Sequence, residues 1–181
     1  LPFALYPDVV IRILFGTDWV EGGSQILAIL VWVVVLQSIN YPLADALTTK
    51  GLQARRTAVL IVAGLLGILS YITLGSRLGA LGGAVAAMIV EGVLFLGYTI
   101  SNPQGWCILK IGLPGSLTAL FLTFFIILFL KPLITHAWLG IILTFFLYTA
   151  LIITIDDDVK IEIKHVYSIL NRKLAVFKKG D

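Results

Sequence analysis

The chain has 181 residues, of which 59% are hydrophobic and 13% charged, and its mean hydropathy is +1.03. Soluble proteins carry about 45–50% apolar and about 25% charged residues, so this composition excludes a water-soluble enzyme domain and makes lipid the solvent. The formal charge of +3 is spread over short connections and one tail, which gives nucleic-acid binding no support, and the single Cys107 allows neither an internal disulfide nor a cysteine-based zinc cluster; it reads as a small packing residue.

In chain order, residues 1–16 read as the end of a preceding transmembrane helix and an outer turn, with no basic leader or cleavage site ahead of Leu1, which implies a longer parent protein. Residues 17–155 follow as a five-helix transmembrane bundle and residues 156–181 as a cytoplasmic tail. A spanning helix needs about 20 mostly apolar residues, because it rises about 1.5 Å per residue across a hydrocarbon core of roughly 30 Å. Five stretches qualify: Gly22 to Ala44, Thr57 to Ser76, Leu78 to Ser101, Ile111 to Leu130 and Pro132 to Ile155. Their connections are short, which makes sequential helices antiparallel neighbours. None of the runs alternates in polarity as a membrane β-strand does, so the fold class is all-α, a polytopic transmembrane helix bundle.

The first span ends in a polar run, Gln37, Ser38, Asn40, Tyr41, Pro42 and Asp45. Pro42 lacks an N–H and is expected to kink the helix, and a kinked polar helix suits a cavity wall. The plainer reading makes this run the cytoplasmic end of the helix, with Asp45 paired to Lys50. Glu91, deep in the third span, is costly: an acidic group at midplane carries about 2.5–3.5 kcal/mol on insertion scales. Gly79, Gly83 and Ala87 share its helical face, with Gly82 and Ala86 beside them, so this face is expected to pack closely and turn Glu91 into the bundle. There Glu91 is either a proton or cation site lining a polar cavity or a hydrogen-bonded group that serves packing alone.

The fourth span starts with a weak point at Pro114, Gly115, Ser116 and Thr118, just after Lys110. Lys50, Arg55, Arg56 and Lys110 read either as topology anchors or as contacts for an anionic headgroup or phosphate. Three of the four tryptophans, Trp19, Trp106 and Trp138, fall near span ends, as interfacial anchors do. His136 and His165 have no metal-ligand company. The sequence carries no catalytic motif and no phosphate loop, so no catalytic residue, metal or cofactor is expected.

Ten Lys and Arg residues lie on the side of the first loop, Lys110 and the tail, against three (Arg12, Arg77, Lys131) on the other side. The positive-inside rule puts the richer side and the C-terminus in the cytoplasm of a multi-pass cell-membrane protein. In the tail, Ile163, Val166, Tyr167, Leu170, Leu174 and Phe177 recur at helical spacing opposite Lys160, Lys164, Asn171 and Arg172. That pattern is an amphipathic helix for the anionic inner leaflet or a partner, with Asp156, Asp157 and Asp158 capping its start.

The passage from Ile11 to Leu94 then resembles the C-terminal part of Wzx-type polysaccharide (O-antigen) flippases, of the superfamily that also holds the MATE drug exporters and the lipid II flippases. The matching pieces are the outer Leu14-Phe15-Gly16 turn, a helix ending near Ala46 to Gly51 and Gln53, and Leu78-Gly79-x-x-Gly82-Gly83-Ala84-x-x-Ala87 followed by Glu91. The tail after Ile155 is also similar to how such proteins finish. The resemblance implies one lobe of a two-lobe transporter of about 12 to 14 helices, whose N-terminal lobe is missing here. Such proteins flip polyprenyl-pyrophosphate-linked oligosaccharide by alternating access, with membrane lipids and the polysaccharide polymerase machinery as further partners. On that reading Glu91, Gln37, Asn40 and Asp45 are candidates for substrate cavity or ion coupling. The alternatives are a drug/cation antiporter of the same superfamily, a membrane polymerase or ligase of polysaccharide assembly, and a scaffold; an enzyme would need a long outer loop, and the longest inside the bundle is Lys131 to His136.

Overall fold

The computed structural model describes residues 1–131, 136–156 and 159–161. Among these, every regular element is helical: α1 Pro2–Leu5, α2 Pro7–Phe15, a 3-10 turn Thr17–Trp19, α3 Val20–Thr49, α4 Gln53–Ser101, α5 Gly105–Gly112, α6 Pro114–Leu130 and α7 Ala137–Ile155. Asp157, Asp158 and the amphipathic pattern from Ile163 to Phe177 lie outside the described residues. Asp156 does accept the Val159 backbone N–H at 3.3 Å, as an N-terminal cap should. By length and composition three helices can cross a membrane, Thr17–Thr49, Gln53–Ser101 and Ala137–Ile155, and the bent pair Gly105–Ile111 with Pro114–Leu130 makes a fourth. Ile61, Leu65, Ile68, Phe125 and Phe129 are all exposed, a surface that hydrocarbon solvates and water does not. The chain is a membrane protein of apolar helices.

At 49 residues α4 would run about 73 Å if straight, more than twice the hydrocarbon core. It is folded back instead. Gly79 has φ +58° and ψ −135°, backbone open to glycine and strained for any residue with a β-carbon. Beyond it Val90 packs on Gly67, Val59 on Gly97, and the Leu74 carbonyl comes so close to Gly82 that a β-carbon there would collide with it. The expected spans Thr57 to Ser76 and Leu78 to Ser101 are thus the two limbs of a hairpin. Gly79, expected on the packing face with Gly83 and Ala87, is the turn itself, and Gly82 makes the close approach.

Two further expectations change. The stretch Ile111 to Leu130 is not one straight helix: α5 and α6 meet at Leu113 with a bend of 54°, because Pro114 cannot donate to the preceding turn and instead opens α6 at its first position. In α3 the backbone leaves helical dihedrals at Glu21 and Gly22 and not at Pro42, which stays helical on an exposed face where its missing donor is cheapest. Residues 1–15 form two short helices broken at Tyr6 ahead of Pro7.

α3 packs chiefly on α4, and α6 on α7, while α1 touches both α3 and α7. At one end Leu43 and Leu47 of α3, both 0% exposed, close a core with Tyr98 of α4 and Leu109 of α5. Here Lys50 Nζ donates to Asn102 Oδ1 at 3.2 Å and Gln104 Oε1 at 2.6 Å, and Arg55 donates to the Ser101 carbonyl at 3.1 Å. Lys50 is therefore tied across the loops and not to Asp45. At the other end Leu5, Tyr6 and Ile127 form a second core, and Lys131 sits over the Tyr6 ring, 5.6 Å from its centroid. The Tyr6 hydroxyl is buried against Gly140 with no hydrogen-bond partner among the described residues. Tyr6→Phe removes that orphan group, so it is expected to leave stability unchanged or raise it by up to about 1 kcal/mol. Thermal unfolding in detergent reads this out, and a clear loss would mean that the hydroxyl is bonded.

Candidate functional site

Helical spacing builds the site. Gln37, Asn40 or Tyr41, and Ala44 recur at three- to four-residue steps along one face of α3, Glu91, Leu94 and Tyr98 along the second limb of α4, and Arg56 and Leu60 along the first. These nine residues line a cavity of about 240 Å³. It reaches from Glu91, about midway between the Gly79 turn and Ser101, to Arg56 in the first turn of α4.

The centre is a clamp on Glu91. Gln37 Nε2 donates to Glu91 Oε1 at 2.9 Å, and Asn40 Nδ2 donates to Glu91 Oε2 at 2.8 Å and to the Glu91 backbone carbonyl at 3.0 Å. Two α3 amides thus satisfy both oxygens of the one acidic group held deep in α4, which offsets its transfer cost and fixes the register of α3 on the hairpin. Asn40 is 5% exposed, yet its Oδ1 has no partner among the described residues. Since both amide protons of a side-chain N–H₂ can be used by Glu91, the amide oxygen is left turned away from the clamp.

Arg56 donates to Thr48 Oγ1 at 2.7 Å and lies beside the Tyr98 hydroxyl, which is buried at the foot of the pocket. Tyr41 stands at the rim, 68% exposed.

Of the residues singled out in the sequence, Glu91, Gln37 and Asn40 meet, and Arg56 joins them in the same cavity. Asp45 does not: it is exposed on α3, one turn past Tyr41. Lys50 and Arg55 serve the loop contacts given above, and Lys110 is exposed in the last turn of α5, away from the pocket. Cys107, expected to pack, is exposed as well. Tyr98 was not foreseen, although its position seven residues after Glu91 puts both on one helical face. Among the described residues no group of His, Cys, Asp and Glu could hold a metal ion.

A larger cavity of about 590 Å³ between α2 and α3 is lined by Ile11, Phe15, Trp19, Ile26, Leu27 and Leu30, a lining that suits hydrocarbon. The chain matches no family model, no curated protein and no solved structure.

Proposed function

We propose that this chain is one lobe of a transporter that flips polyprenyl-pyrophosphate-linked oligosaccharide across the cell membrane by alternating access. On this reading the bundle has five spans: α3, the two limbs of α4, α6 with α5 leading into it, and α7. The observation that carries the proposal is the α3–α4 pocket, in which polar side chains gather inside helices whose outer faces are apolar. Glycan hydroxyls and pyrophosphate cannot cross hydrocarbon unaided, and a polar wall at that depth lowers the barrier while the lipid tail stays in the bilayer. The resemblance from Ile11 to Leu94 supplies the substrate class.

The test is reconstitution. Proteoliposomes holding the protein and polyprenyl-pyrophosphate-linked oligosaccharide are expected to expose inner-leaflet glycan to an external glycosidase faster than protein-free vesicles. Equal rates would overturn the proposal, and movement of a lipophilic cation in its place would assign the chain to the antiporter branch.

Orientation has its own prediction. With Lys50, Arg55, Arg56 and Lys110 on the cytoplasmic side, the exposed Cys107 is expected to react with a membrane-impermeant maleimide only after permeabilisation. In a Cys107→Ser background, Arg77→Cys at the hairpin tip is expected to react from outside. The reverse pattern would invert the topology.

A further inference from the structure

We infer that the cleft between the two limbs of α4 binds one anionic phospholipid, with its phosphate held by Arg55 and the first part of an acyl chain laid along the valines beyond. The inference rests on the proposed orientation only for the leaflet that supplies the lipid, here the cytoplasmic one, and transport does not enter it.

Helical register makes the cleft. Arg55, Ala58 or Val59, and Val62 recur at three- to four-residue steps along the first limb, and Val93, Gly97 and Ser101 at four-residue steps along the second, so the two stripes line one groove. Its floor is the contact of Val59 with Gly97, where a β-carbon would collide. From Arg55, in the first turn of α4, to Val62 the groove climbs about 10 Å, from headgroup depth into hydrocarbon.

The two ends differ in chemistry, and an amphiphile matches both. Arg55 is exposed, and one N–H of its guanidinium donates to the Ser101 carbonyl at 3.1 Å. A guanidinium carries five N–H donors, so this one is held in place with donors to spare, an arrangement that suits phosphate oxygens. Ser101 adds a hydroxyl at the same end. Lys50, tied to Asn102 and Gln104, adds positive potential close by. No acidic residue lines the cleft, and Glu91 on the second limb is turned to Gln37 and Asn40 of α3. Beyond Arg55 and Ser101 the walls are apolar.

Size and chemistry exclude other occupants. The cleft holds about 260 Å³, the space of roughly nine liquid waters, which takes the glycerol end of one acyl chain and leaves the rest in the bilayer. A helix, about 10–12 Å across with its side chains, is too wide. A glycan would press its hydroxyls on valine, and a metal cation would meet a guanidinium.

Native mass spectrometry of the full chain released from mixed micelles tests this, with phosphatidylglycerol and phosphatidylcholine of the same acyl chains as probes. One phosphatidylglycerol per chain is expected to be retained at saturation, about tenfold or more tighter than phosphatidylcholine. Arg55→Gln is expected to remove that preference, and Val62→Trp, which fills the cleft from a position 52% exposed, to weaken both lipids. Lys110→Gln deletes a cation on the same side of the membrane and is expected to bind as the wild type does. Equal retention of the two lipids, phosphatidylglycerol uptake without saturation, or equal losses in Arg55→Gln and Lys110→Gln would overturn the inference. Displacement of the bound lipid by polyprenyl pyrophosphate would overturn it too, by giving the cleft to the transported lipid. The maleimide labelling above decides the leaflet separately, so a failed orientation and a failed lipid site read differently.

Discussion

Glu91→Ala is expected to weaken the α3–α4 pairing by about 1–3 kcal/mol and, on the proposed function, to abolish flipping. The substitution leaves Gln37 Nε2 with no acceptor and Asn40 Nδ2 with only the backbone carbonyl of residue 91. In water-soluble proteins a hydrogen bond to a charged group contributes about 1.5–3 kcal/mol, but interhelical bonds in a bilayer average only about 0.6 kcal/mol with a maximum near 1.7. With two side-chain bonds lost, the membrane figures decide the range. Glu91→Gln keeps the shape and one acceptor but sets an amide donor against another, so an intermediate loss is expected. Reversible unfolding in mixed micelles measures the stability change, and the reconstituted assay measures transport. Wild-type stability and activity in Glu91→Ala would reduce the clamp to a bystander.

A larger effect is expected at Gly82. Gly82→Val would drive side-chain carbon into the Leu74 carbonyl, which belongs to backbone and cannot rotate away. Overpacking costs about 1–3 kcal/mol where neighbours can shift; here the two limbs must separate, so the expected loss exceeds about 3 kcal/mol. Gly79→Ala, which strains one backbone position without a collision, is expected to cost only about 1–3 kcal/mol. The check is a crosslink. In a Cys107→Ser background, Val62→Cys and Val93→Cys face one cleft between the limbs and should join readily, whereas adding Gly82→Val should stop them. A retained crosslink would place the Leu74 carbonyl elsewhere.

Much of this architecture is legible in the residues. Runs of about 20 apolar side chains announce membrane helices whatever their neighbours, and one acid among them announces an interior contact. The polar run at Gln37 and Asn40 is visible too, but its pairing with Glu91 appears only in the structure. What escaped were matters of exact geometry. Gly79 and Gly82 look alike in a glycine-rich run, and only the tertiary path makes one a turn and the other a contact. Pro42 and Pro114 look alike as helix breakers, yet Pro42 sits on an open face of a long helix while Pro114 follows a short one and starts anew. Lys50 has Asp45 near it in sequence, but the loop amides of Asn102 and Gln104 reach it first. Interfacial lysines have many such options, and spacing alone cannot choose among them.

The fold-back at Gly79 also bears on biogenesis. With scarcely any loop between its limbs, neither can leave the insertion machinery for lipid while the other waits, since their backbones and the Leu74–Gly82 contact join them almost at once. The pair should partition as a single unit, with the Arg77 charge close to its tip. A ribosome stalled before the second limb emerges would leave the first without Val90 and Gly97 to cover it, and quality-control proteases would be expected to clear that nascent chain.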